Sequence, residues 1–208
     1  MNAEVEIYKP EHHIRVVTAT SLFDGHDAAI NIMRRILQDT GVEVIHLGHN
    51  RSVQEIVDAA IEEDVQGVAV SSYQGGHIEF FKYLVDLLRD GKAGHIQVYG
   101  GGGGVIVPEE IKELEDYGVA KIFSPEDGAK LGLQGMINHM IRCMDFSTVK
   151  EDSFSFDDLS PQNKVLVANL ITVAEQAKTR EDGHLDTLRA ELAKKIGDRK
   201  TPVIGITG

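Results

Sequence analysis

Short apolar runs alternate with amphipathic stretches along most of this chain, and that alternation leaves little choice of fold. Strand patterns cover Ile14–Thr20, Val42–Leu47, Gln66–Ser71, His95–Tyr99 and Ala120–Phe123. Helical patterns cover Asp27–Gln38, Ser52–Glu63, Ile78–Arg89, Pro108–Asp116 and Pro125–Cys143. A helix between successive strands is the signature of parallel pairing, and it places helices on both faces of the sheet. The expectation is an α/β fold: a flavodoxin-like, doubly wound, five-stranded parallel sheet in the order 2-1-3-4-5. Two helix starts are well marked. Ser52 with Glu55 three residues on is a capping box. Pro108 followed by Glu109 and Glu110 suits a first turn.

Beyond Cys143 the texture changes. Ser147 to Asp158 mixes acidic and hydroxyl residues with Phe154 and Phe156, as in a linker that docks its aromatics. Pro161–Lys178 and Leu185–Ile196 then read as a helical hairpin with Asp182-Gly183 at the turn. Thr201 to Gly208 reads as a strand of the kind that precedes a phosphate-binding loop. The later glycine, lysine and Ser/Thr of such a loop do not follow, so an ordinary C-terminal strand is an equal reading on this signal alone. The expected division is 1–145 as one domain, 146–200 as linker and hairpin, and 201–208 as a further strand.

Of the 208 residues, 42% are hydrophobic and 26% charged, which is ordinary for a globular protein. The formal net charge of −12 argues against a nucleic-acid surface. One cysteine, Cys143, allows no internal disulfide and points to a reducing, cytoplasmic setting. Nothing approaches the roughly 18 apolar residues of a membrane span. The segment with Glu4, Glu6, Lys9 and Glu11 has no signal-peptide core.

The chemistry-bearing residues fall on the loops after the strands, at the edge where open α/β sheets bind ligands. After the first strand come Phe23, Asp24, Gly25, His26 and Asp27. An Asp two residues from a His can hold one ring nitrogen and free the other for a metal, although a loop histidine is more often merely exposed. After the third strand come Ser71, Ser72 and Tyr73, whose serines can meet a polar ligand or simply cap the next helix. After the fourth come five glycines, Gly100 to Gly104. Such a loop suits close approach of a bulky ligand, with a flexible connector as the plainer alternative. Ser124-Pro125-Glu126-Asp127 follows the fifth strand on the same edge. His46 and His49 lack the further ligands of a zinc site. His12, His13, His95, His139 and His184 have no partner pattern.

Asp24-Gly25-His26, Ser71-Ser72-Tyr73 and Gly103-Gly104 together resemble the Asp-x-His-x-x-Gly, Ser-x-Leu and Gly-Gly signature of cobalamin-binding domains. The match runs from residue 14 to about 145. The resemblance implies that His26 is the lower axial cobalt ligand, replacing the cofactor's own dimethylbenzimidazole, with Asp24 orienting it. It places Phe23, Gly25, Asp27, Ser71, Ser72, Tyr73, Gly102, Gly103 and Gly104 against the cofactor. Ala29 and Tyr73 depart from the family's glycine and leucine. The segments 21–28, 46–52 and 71–77 further resemble the amino-terminal region of the fused isobutyryl-CoA mutases. That likeness implies an adenosylcobalamin-dependent radical rearrangement of an acyl-CoA, here isobutyryl-CoA to n-butyryl-CoA. It also implies a downstream GTPase domain using GTP and Mg, an acyl-CoA-binding barrel, and a homo-oligomer. In that light Thr207-Gly208 is the entry to the GTPase's phosphate loop. No catalytic residue is expected in this chain, which would bind cofactor without turnover. A methyl-carrier corrinoid protein is the alternative, disfavoured because only 13 residues precede the first strand. A phosphorylated signalling receiver would need an acceptor Asp where Ser71-Ser72 stands.

Overall fold

A computed structural model describes residues 6–149, 156–178, 184–197, 202 and 205. The chain divides into two compact units, 1–148 and 149–208. The first is a sheet of β1 (Arg15–Ser21), β2 (Glu43–Arg51), β3 (Gly67–Ser71), β4 (Gln97–Gly101) and β5 (Lys121–Phe123). All pairs are parallel and the order is β2-β1-β3-β4-β5, as the alternation required. The helices are α1 (Ala28–Asp39), α2 (Val53–Glu62), α3 (His77–Asp90), α4 (Pro108–Tyr117) and α5 (Pro125–Met144).

Side chains alternate across β1, so Val17 and Ala19 feed one core and Val16 the other. The first core also holds Ile56 and Val57 of α2, Phe81, Leu84 and Leu88 of α3, and Leu114 of α4. The second holds Ile30 and Leu37 of α1 and Ile137, Ile141 and Met144 of α5. The capping box is formed: Ser52 Oγ accepts the Glu55 amide at 3.3 Å and Glu55 accepts the Ser52 amide at 2.9 Å.

Three local expectations are corrected. β2 continues to Arg51, past the predicted end at Leu47, because β1 tolerates register shifts at Thr18/Ala19 and Ala19/Ser21 opposite it. Gly100 and Gly101 belong to β4 and are not loop. A side chain at Gly100 would collide with Phe81 and Ile122, so close packing explains that glycine. The predicted unbroken helix from Pro125 is interrupted at Gly132, whose φ of 65° and ψ of 172° leave the helical region.

In the second unit α6 (Lys164–Lys178) and α7 (His184–Ile196) pack through Leu170, Val173 and Leu188, with Phe156 partly buried beside them. α6 starts later than Pro161 because the Asn163 side chain accepts the Leu166 amide at 3.3 Å. Phe154, the Asp182-Gly183 turn and the strand expected over 201–208, apart from Pro202 and Gly205, lie outside the described residues.

Candidate functional site

β1 ends at Ser21, and the chain turns through Phe23, a non-glycine residue at φ 65°. The turn persists because Asn50 Oδ1 accepts the Phe23 amide at 2.9 Å and the Ser21 carbonyl accepts the Asp24 amide at 3.1 Å. It sends Phe23 outward, 86% exposed, and tucks Asp24 inside at 3%. Asp24 Oδ1 accepts the His26 backbone amide at 2.9 Å and lies 2.8 Å from His26 Nδ1. Asp24 Oδ2 accepts the backbone amide of Tyr73 from the loop after β3. Burial opposes the Asp24 charge, but the hydrogen bonds from Tyr73 and His26 outweigh it and hold the carboxyl below its usual range.

The His26 side chain is 73% exposed. With Nδ1 committed to Asp24, Nε2 has no protein partner among the described residues. A carboxylate on Nδ1 fixes the ring's direction and raises its strength as a ligand. The Tyr73 ring lies 5.2 Å from the His26 ring at a tilt of 31°. Gly103, at φ +55°, closes against that same tyrosine, where any side chain would strike it.

Beside this cluster an apolar cavity of about 450 Å³ opens between α1 and α5. Ile30 and Met33 wall it on one side, Met136 and Met140 on the other, and Tyr99 and the 100–103 backbone form its floor. Ser71 also lines it, 6% exposed, and its Oγ has no hydrogen-bond partner among the described residues. Thr20, its register partner on β1, is fully buried beneath the cavity lining and is likewise unpaired among the described residues. A buried hydroxyl without a partner costs roughly 1–3 kcal/mol, so Ser71, which faces the cavity, marks a lining shaped for something other than the fold.

The structure thus brings Asp24, His26, Tyr73, Ser71, Gly102 and Gly103 to one corner of the sheet edge. It separates others. Ser72 is fully buried and its Oγ accepts the Ser21 hydroxyl at 3.0 Å, away from the cavity lining. Neither serine caps α3, whose cap position is Gly76. Gly25 and Asp27 are exposed beside α1, and Asp27 makes no side-chain cap. Gly104 adopts φ +91° outside the cavity lining. Ser124 stays at the cavity, which it lines with Pro125, but its hydroxyl caps α5, accepting the Asp127 amide at 3.1 Å. Sequence reasoning gave Asn50 no role of its own, although it lies in the segment 46–52, and it missed the cavity's methionine and isoleucine walls, which read as ordinary core.

Open parallel sheets with a pocket at the carboxyl edge form one large class of ligand-binding α/β domains. A B12 binding domain model matches residues 14–131, more than half of the chain, and the chain belongs to that family. It is 59% identical over 205 residues to the fused isobutyryl-CoA mutase of Geobacillus kaustophilus (strain HTA426), covering 97% of this chain and 19% of that protein. It is 35% identical over 109 residues to the 2-hydroxyisobutanoyl-CoA mutase small subunit of Aquincola tertiaricarbonis, covering 52% of this chain and 79% of that subunit. The fold is shared with a cobalamin-binding protein from Desulfitobacterium hafniense DCB-2, with a TM-score of 0.52 and 23% identity over 63% of this chain and 59% of that one. The chain therefore spans about a fifth of the fused mutase it matches.

Proposed function

We propose that this chain binds adenosylcobalamin with its lower base displaced and His26 as the axial cobalt ligand. It does so as the cofactor-binding part of a radical acyl-CoA mutase that interconverts isobutyryl-CoA and n-butyryl-CoA. The observation that carries the reading is the pairing of an exposed imidazole, anchored from behind by buried Asp24, with an apolar cavity holding the unpartnered Ser71 hydroxyl. The residues fit the group. Tyr73, Gly102 and Gly103 border the cavity that would take the displaced base and its tail, with Ser71 its polar contact. Phe23, Gly25, Asp27, Ser72 and Gly104 complete the proposed surround, Ser72 acting through Ser21.

Bound adenosylcobalamin supplies a cobalt–carbon bond that breaks homolytically, and that chemistry belongs to the cofactor. The chain's own work is to hold the lower face. Asp24 keeps the His26 proton on Nδ1 so that Nε2 offers its lone pair, and the cavity shields the base from water. Only neutral imidazole coordinates, so acid competes with binding.

The 54–59% identity to fused isobutyryl-CoA mutases over nearly the whole chain supports the substrate pair and a fused GTPase domain using GTP and Mg. It supports equally an acyl-CoA-binding barrel, a homo-oligomer and a cytoplasmic setting. In the proposed division, 1–145 is the cobalamin domain, 146–200 a linker with the helical hairpin, and 201–208 the first strand of the GTPase domain. Among the described residues no helix is long and apolar enough to cross a membrane.

Electron paramagnetic resonance of the cobalt(II) form tests the ligand. Uniform nitrogen-15 labelling of the protein alone is expected to change the axial nitrogen splitting from triplets to doublets. His26→Ala removes the effect and Asp24→Asn weakens the ligand without removing it. Persistent triplets in the labelled wild type would mean that the dimethylbenzimidazole stays on cobalt.

A further inference from the structure

His77 is a buried titratable side chain that the cofactor reading leaves without a role. It opens α3, directly after the loop 72–76, and is 4% exposed. Its Nδ1 lies 3.0 Å from the Gln74 carbonyl oxygen and its Nε2 lies 2.9 Å from Glu110 Oε2. That glutamate oxygen also accepts the Val107 amide at 3.0 Å. The Val107 amide, and after it His77, hold the Glu110 carboxyl below its usual range, so it remains an acceptor.

One ring thus ties the loop 72–76 after β3 to Glu110 in the first turn of α4, and Glu110 in turn holds Val107 at the end of the loop 102–107. Those loops carry Tyr73 and Gly103, which close on each other next to His26. Burying an imidazole is unfavourable unless its nitrogens are satisfied; here each nitrogen faces an acceptor, so both bonds form with a proton on each. An apolar side chain would fill the space without that requirement, so the two bonds account for a histidine here. Their consequence lies one residue away. Gln74 follows Tyr73 directly, and the Tyr73 amide is a hydrogen-bond donor to Asp24. Releasing the Gln74 carbonyl lets the Tyr73 peptide tilt, and Asp24 then loses one of the bonds that aim it at His26.

We propose that His77, with Glu110, is a positioning residue for the axial-ligand site: it clamps the loop 72–76 so that Tyr73 stays on Asp24 and Asp24 on His26. Its functional consequence rests on the cobalamin reading, whereas the clamp itself is readable in the cofactor-free chain.

Amide hydrogen exchange and nuclear magnetic resonance on that chain decide it. His77→Ala and Glu110→Ala are each expected to speed exchange at the Tyr73 amide at least tenfold and to shift the His26 ring signals. Glu110→Gln keeps one oxygen that can accept from both Val107 and His77, as the Glu110 oxygen does, and is expected to stay within twofold of wild type. A control, Leu84→Val two turns further along α3 in the first core, lowers the melting temperature without moving either readout. In titrations with hydroxocobalamin, each alanine variant is expected to bind about five- to tenfold more weakly, and the double variant no worse than the weaker single. Unchanged Tyr73 exchange and unchanged His26 signals in both alanine variants would overturn the clamp. If His77→Ala does not fold, Glu110→Ala decides alone, since that side chain is 33% exposed. Failure of the wild type to bind hydroxocobalamin would sink the cofactor reading, while the exchange result would still judge the clamp.

Discussion

The two faces of this sheet are built from the same strands and end differently. Against one face α2 and α3 press Ile56, Phe81, Leu84 and Leu88, each no more than 2% exposed, and the space is filled. Against the other, α1 and α5 seal only the half away from the functional edge, where α5 contributes Ile137, Ile141 and Met144. Toward the edge, small Ala29 and Gly128 and the break at Gly132 leave the 450 Å³ cavity open. One face is stabilised by what it packs, and the other keeps room for a guest at a cost in buried contacts. A domain of this kind separates stability from binding by assigning them to opposite sides of one sheet.

Substitutions on the two faces sharpen that contrast. The largest stability loss is expected on the filled face. Leu84→Ala should cost about 3 kcal/mol in urea unfolding, within the usual range for a buried leucine. If it costs less than about 1 kcal/mol, the face is not packed as described.

Gly103→Val acts at the cavity rim and should cost about 2 kcal/mol, because a β-branched residue is forced to positive φ against Tyr73. Cobalamin affinity should fall with it. Gly104, whose added Cβ would meet only Pro125 at 3.5 Å, separates the effects better. Any loss of affinity in Gly104→Ala beyond its loss of stability reports on the ligand.

On the open face Ala29→Phe should change stability by less than about 1 kcal/mol, since it enters an existing cavity. Cobalamin affinity should nevertheless drop at least tenfold. Equal loss of stability and affinity would mean that the cavity belongs to the core.

The smallest effect concerns acid, and lies outside both cores. Asp145 accepts the Glu11 amide at 2.9 Å, the His12 amide at 2.9 Å and the Tyr8 hydroxyl at 2.7 Å, tying the amino-terminal segment to the end of α5. Burial works against its charge, but these bonds prevail and bring its pKa to about 2. A depressed folded-state pKa means that the stabilisation is present above the ordinary carboxylate range and disappears as pH falls toward 2. Asp145→Asn should flatten the stability profile between pH 4 and 2, with little change in cobalamin binding at neutral pH. An unaltered acid profile would show that the tie contributes nothing.

Much of the architecture was legible in one dimension because its signals are local. Strand and helix periods, the Ser52 cap and the Pro108 start depend on neighbours a few residues apart, and right-handed crossovers turn that alternation into the order β2-β1-β3-β4-β5. The likeness to cobalamin-binding domains was legible for the same reason, since Asp24 and His26 sit two residues apart and the other motifs each fall within one loop. The extension of β2 to Arg51 and the break at Gly132 were not, because each depends on what lies opposite in space.

The sequence by itself determined the class of fold and which loops face the ligand edge, since both follow from chain periodicity and connection geometry. Only the tertiary structure decided which candidates act together. Ser71 and Ser72 are chemically alike and adjacent, yet one is left unpaired at the cavity and the other is spent on Ser21. Strand side chains point to opposite faces in turn, and no property of the two serines says which face will stay open. The clamp of His77 on Glu110 joins residues 33 positions apart. Such long-range bonds form only when packing brings two loops together, and nothing in the local pattern around either residue announces the partner.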